Sequence, residues 1–378
     1  MAFPKPRSKF LLGVMASPLL LLSLVLSFLV VSPRSAFASD GDFYQQTNLV
    51  SDQAGVARFT DPNLVNPWGI AYRPTSPFWI ADNHTGVSTL YNGDGQPFPT
   101  SGPLVVTVPL PGGGTSSPTG IVFNGSSDFV VSKGGNSGPS LFIFTAEDGT
   151  LSGWNPKVDL TNAILTVDNS ASGAVYKGLA LGSSGSQNFL FATNFNAGVV
   201  DVYDANFHWV RSFTDKKLAH TCPLSGQCYA PFGIRNIGGL LYVTFALQKP
   251  DKHDDMAGPG HGFVDVFNTN GHLLKRLIAH GALNSPWGLA LAPSDFGRFS
   301  NALLVGNFGN GWINGFDSDS GAFLGSLKDK HGNPIAIDGL WALTFGNGAR
   351  AGETDTLFFT AGPNEESHGL FGSIEAED

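Results

Sequence analysis

From residue 43 onward the chain consists of short apolar runs broken by Gly, Pro, Asn and Asp. Where the polarity alternates, as in Val199-Val200-Asp201-Val202-Tyr203, the period is two, which marks a strand with one buried face. No long stretch keeps a helical period. The runs are not independent. Asn66-Pro67-Trp68-Gly69-Ile70-Ala71 is echoed by Ser117-Pro118-Thr119-Gly120-Ile121-Val122, by Tyr176-Lys177-Gly178-Leu179-Ala180 and by Pro231-Phe232-Gly233-Ile234. Pro286-Trp287-Gly288-Leu289-Ala290 and, more loosely, Leu340-Trp341-Ala342-Leu343 complete the series. These openers recur about every 55 residues, so the chain carries six units.

Each unit repeats one internal order. A second run ends in a polar turn (Asp82-Asn83, Thr193-Asn194, Asn307). A third alternates (residues 87–91, 141–144, 199–203, 263–267, 313–316) and closes on turns such as Asp94-Gly95, Asp148-Gly149 and Asn270-Gly271. A fourth leads onward. Four short antiparallel strands per unit make a propeller blade, so the expected fold is an all-β, six-bladed β-propeller. Unit six ends short of a fourth strand. Residues 43–52 precede the first opener and can supply it, closing the ring and removing two exposed sheet edges.

The first residues read differently. Lys5, Arg7 and Lys9 precede an apolar stretch, residues 10–31, and Ala36-Phe37-Ala38 offers a small-x-small cleavage signal. Residues 1–38 are therefore expected to be a signal peptide, with 39–378 a single propeller domain; the stretch is also long enough to stay as a membrane anchor. Either way the protein is expected outside the cytoplasm, secreted or periplasmic, or anchored through residues 10–31. The full chain has net charge −9, and losing Lys5, Arg7, Lys9 and Arg34 would bring it to −9 − 4 = −13. That field argues against nucleic acid as a partner, and a membrane would be met only through the uncleaved segment. In an oxidising compartment Cys222 and Cys228 are expected to pair with each other.

The openers, together with NLVNPWGIA, LLVGNFGNG, GLWALTFGNG and HGLFGSI, resemble an uncharacterised family of exported bacterial six-bladed propellers. That family is similar to NHL-repeat propellers and more distantly to the gluconolactonase and regucalcin group. The resemblance implies the fold and no reaction. The lactonase group holds a divalent metal with Asn or Asp at some opener middles. Here those positions are Trp68, Thr119, Lys177, Phe232, Trp287 and Trp341, which offer one hydroxyl and one ammonium. Hard cations need several oxygens, so that metal site is not expected.

Strand order places the openers and the turns between second and third strands on one face of the disc, hereafter the opener face. It gathers Trp68, Asn83, His84, Asn194, Phe232, Trp287, Asn307 and Trp341, along with Lys133, residues 364–368 and the long insertion 249–261. If the rings are exposed, such platforms ringed by amides suit a ligand with one apolar and one hydroxylated side; the alternative is that the tryptophans pack between blades and the Asn are turn residues. The leading expectation is a scaffold binding a small polar ligand, such as a carbohydrate, or a protein partner. The alternative is a hydrolase or lyase built on the insertion, where His253, Asp254, Asp255 and His261 could supply an acid–base pair or ligands for a divalent metal. No cofactor is firmly implied. No G-x-S-x-G elbow, P-loop or zinc-helix motif occurs after residue 38.

Overall fold

A computed structural model describes residues 43–224 and 226–377. The expected signal peptide or anchor lies outside the described residues. Among those residues no helix is long and apolar enough to cross a membrane. Six antiparallel sheets form the ring, each with its opener strand innermost. Blade one runs Pro67–Ala71, Phe78–Asp82, Val87–Tyr91 and Val105–Thr107; blades three, four and five repeat the order from Tyr176–Ser184, Tyr229–Ile237 and Pro286–Leu291.

The Pro-x-Gly pattern has a steric cause. A Cβ on Gly69 would lie 2.4 Å from the Thr119 carbonyl oxygen of the next blade, and one on Gly233 only 2.2 Å from that of Trp287. Neighbouring inner strands approach too closely there for any side chain. Beside these glycines the ladder slips register, as between Pro67 and Ile70 or Pro286 and Gly288. Such bulges re-aim side chains. Accordingly Trp68, Phe232, Trp287 and Trp341, from four different blades, share one buried cluster at the axis.

Blade six is closed as expected. Phe43–Ser51 pairs antiparallel with Leu370–Glu377, and the short strand Phe59–Thr60 adds a parallel fifth member. Tyr44 inserts beside Phe296 and Phe299 of blade five, its hydroxyl donating to the Phe296 carbonyl at 3.0 Å. Cys222 and Cys228 are bonded to each other, and no described cysteine is free.

Blade two departs from the expectation. Residues 141–144 fall at the second strand, Phe142–Ala146, not the third, which is Thr150–Trp154. An extra hairpin, Val130–Lys133 with Asn136–Pro139, sits between the first two strands. Its apolar run imitates a blade strand, yet three of the four residues Val130–Lys133 are exposed. Lys133 therefore belongs to the opposite face, where it pairs with Asp159 at 2.7 Å. The turn containing Asp148-Gly149 moves the other way, onto the opener face, and brings Glu147 with it.

Candidate functional site

The expected aromatic platforms are a floor, not a surface. Trp68 stacks on Trp341 with centroids 3.5 Å apart, and Trp287 meets both edge-on at 6.0 and 5.8 Å. Phe308 stacks on Trp341 at 4.2 Å, and Phe232 packs between Phe195 and Trp341. All of the expected rings are buried, with exposures of 2% for Trp68, 9% for Trp287, 1% for Trp341 and 0% for Phe232. Six inner strands leave an axial gap, and filling it with large rings buries more apolar area than leaving it wet. The expectation of exposed rings is thus corrected: none can take a sugar on its face.

Charge gathers directly above this floor. Lys177, the middle residue of the third opener, is 1% exposed. Its ammonium lies 5.0 Å above the Trp68 ring, touches Glu147 Oε1, and stands 3.5 Å from Asp254 Oδ1. Its own carbonyl accepts from Trp287 Nε1 at 3.1 Å. Glu147 Oε2 accepts from Asn83 Nδ2 at 2.9 Å, and Asn83 Oδ1 accepts from Asn66 Nδ2 at 3.3 Å. Asn66 joins rim to floor: its Nδ2 also donates to Glu366 Oε2 at 2.7 Å, and its Oδ1 accepts from Trp341 Nε1 at 2.9 Å. On the other side Asp254 Oδ1 is 2.9 Å from His253 Nδ1, and Lys249 approaches Asp254 at 3.7 Å.

The protonation states follow from these partners. Burial alone would lower Lys177, but Glu147 and Asp254 raise it above its ordinary value. Burial would raise Glu147, and the Lys177 ammonium with Asn83 outweighs it, holding the carboxyl below its usual range. The hydrogen bond to His253 holds Asp254 well below the carboxylate norm and raises His253 in return. Glu366 is pushed up by burial and by the nearby charges of Glu147 and Asp254. It reaches the site on a costly turn. Asn364, Glu365 and Glu366 have φ of 57°, 54° and 64°, three successive left-handed residues without a glycine. Such conformations cost about 1–3 kcal/mol each at bulky residues and cluster at functional positions.

The other expected residues divide. Of the amides only Asn83 enters the charged group. Asn194 accepts from the Val175 and Ala197 amides and donates to Asp201 at 2.9 Å; Asn307 accepts from the Asn284 amide and donates to the Ala282 carbonyl at 2.8 Å. Both are buried and saturated by the loops they hold, which corrects the expectation of free amides. His84 stands exposed on the rim. Within the insertion, His253 and Asp254 join Glu147, and one ligand atom from each of the three lies within 4.8 Å of the others. Asp255 bridges across the loop to Gln248 and is buried, with the Ser285 hydroxyl beside its carboxyl. His261 Nδ1 contacts the Met256 carbonyl of its own loop at 3.0 Å. The expected four-residue metal set is therefore not brought together. In the three-residue set, the Lys177 ammonium already occupies the cation position between Glu147 and Asp254.

The fold and this site define a six-bladed propeller with a charged cluster at one mouth of its channel. No family model matches the chain. It is 34% identical over 331 residues to an uncharacterized protein of Acanthamoeba polyphaga mimivirus, covering 86% of this chain and 78% of that one. A second uncharacterized protein of the same virus is 32% identical over 349 residues, covering 90% and 87%. The chain belongs to the family of these proteins. Among solved structures it is similar to a streptogramin B lyase, with TM-score 0.50 and 12% identity over 88% of this chain and 97% of that one, a likeness of fold alone.

Proposed function

We propose that this is an exported binding propeller whose opener-face mouth takes a small hydroxylated ligand, a sugar or polyol. One observation carries the reading. Lys177, Glu147, Asp254, His253 and Glu366 converge from blades two, three, four and six over a dry floor, although the ring needs no charge there. Burying an ion pair is seldom a gain in stability, and clustered perturbed carboxylates mark functional sites. Glu147, Asp254 and Glu366 supply acceptors for hydroxyl groups, while Asn83 and Lys177 fix their orientation. The Cys222–Cys228 bond and the sequence of residues 1–38 support export.

Calorimetric titration with a panel of monosaccharides and polyols tests this. At least one should bind saturably and lose about tenfold or more in Glu147→Gln and in Asn83→Ala. Absence of saturable binding across the panel, or equal binding by both variants, would remove the reading. The His253–Asp254 hydrogen bond favours a second one, in which His253 acts as a general base on the bound ligand. Ligand consumed by the parent and not by His253→Ala would establish it.

A further inference from the structure

Beyond the aromatic floor the channel widens again toward the opposite face. A cavity of about 390 Å³ is lined there by the later residues of all six opener strands, and it falls within the size range of small-molecule sites. Its walls combine strand backbone with the apolar side chains of Ile121, Phe123, Leu179, Leu181 and Leu289, with Trp287 at its head. Among the lining residues none is acidic, and Arg235 is the single cation.

Arg235 spans the lumen from blade four to blade six. It donates to the Leu343 carbonyl at 2.6 Å and to Thr344 Oγ1 at 3.0 Å. A guanidinium carries five N–H donors, so these contacts leave donors over. No described carboxylate stands within the 4.0 Å of an ion pair. Burial pulls the Arg235 pKa down. A neutral side chain could tie blade four to blade six at less cost. A half-buried guanidinium without a carboxylate partner, with spare donors facing a cavity, is half of an ion pair.

We propose that this lower cavity is a second binding site, distinct from the opener-face mouth, for a small organic monoanion. Its carboxylate takes the fork of Arg235, and its apolar body lies between Ile121, Leu179 and Leu289. The size and the apolar wall favour an aromatic or branched aliphatic carboxylic acid over an inorganic anion. Thr344 stands beside the guanidinium to orient the head group.

Benzoate, with benzamide as its uncharged counterpart and inorganic phosphate as a bare anion, provides the test by calorimetry or ligand-detected NMR on the full-length protein. Benzoate should bind with a dissociation constant of about 1 mM or tighter, and benzamide and phosphate at least tenfold more weakly. Arg235→Met should weaken benzoate about tenfold or more, and Arg235→Lys by less, since an ammonium keeps the charge without the fork. Asn83→Ala, at the other mouth, should leave benzoate binding unchanged. The proposal fails if benzoate does not saturate, if benzamide or phosphate matches it, or if Arg235→Met, shown folded by its melting curve, binds it as the parent does.

Discussion

The two ends of the channel each hold one cation, buried at the first and half-buried at the second, and they treat it in opposite ways. At the opener face Lys177 lies between Glu147 and Asp254, with its ammonium over Trp68, and its pKa is raised. At the other end Arg235 meets a carbonyl and a hydroxyl, no carboxylate, and its pKa is lowered. The same lumen therefore contains a completed electrostatic circuit and an open one, separated by stacked tryptophans. A completed circuit stores its cost in the fold: removing one member strands the others. An open circuit has little to strand, and its missing member must come from solution.

The sharpest way to break this comparison is to delete each cation in turn. Lys177→Met should destabilise by about 3–5 kcal/mol in urea unfolding, because the Glu147 carboxylate is left without its counter-charge. If Lys177→Met unfolds like the parent, the circuit at the opener face is not closed. A smaller effect is expected where the opener face is purely architectural. Asn307→Ala should cost about 1–3 kcal/mol by leaving the Asn284 amide and the Ala282 carbonyl short of a partner, and should not alter ligand binding at the mouth. A binding defect in that variant would place Asn307 in the site after all.

Acid provides a third contrast. Glu147 and Asp254 are held below their ordinary values, so their contribution is present above about pH 4 and is lost as pH falls through the lower, folded-state values. His253 is raised, so its contribution is present below about pH 6.5 and fades as pH rises through its folded value. Arg235 does not titrate in that range. The stability gap between parent and Lys177→Met should thus shrink from pH 6 to pH 3, while the gap to Arg235→Met stays flat. The smallest effect is that of Arg235→Met itself, within about 1 kcal/mol of the parent at neutral pH. A loss as large as that of Lys177→Met would mean that Arg235 has a partner of equal weight.

The propeller was legible in the sequence because its cause is periodic: the steric demand at Gly69 and Gly233 recurs at Gly120 and Gly288, so Gly-Ile/Leu recurs at the openers too. Closure by residues 43–52 was legible as a missing strand. The site was legible only in part. Lys177 stood out as an ammonium among rings, and His253, Asp254, Asn83 and Glu366 lay in turns of the correct face. Glu147 was hidden by the hairpin Val130–Lys133 and Asn136–Pro139, which shifts blade two by one strand. Aligning Phe142–Ala146 with Phe78–Asp82 would have exposed it, since Glu147 then falls at the position of Asn83. Asn66 was visible only as the first residue of the opener Asn66-Pro67-Trp68, with no sign of its contacts. The tryptophans and the amides Asn194 and Asn307 were placed on the correct face but with the wrong exposure. Sequence alternation assigns a side of a strand, and at a ring axis both the floor of a site and its surface lie on that side.

The central claim is that the opener-face charges serve a ligand and not the fold. Replacing the buried pair together, Lys177→Met with Glu147→Gln, tests it in one preparation read by unfolding and by sugar and polyol titration. The account predicts stability within about 1 kcal/mol of the parent, or above it, with binding lost, since exchanging a buried ion pair for neutral groups of similar shape is near neutral. A double variant as unstable as Lys177→Met alone, still binding as the parent does, would contradict it.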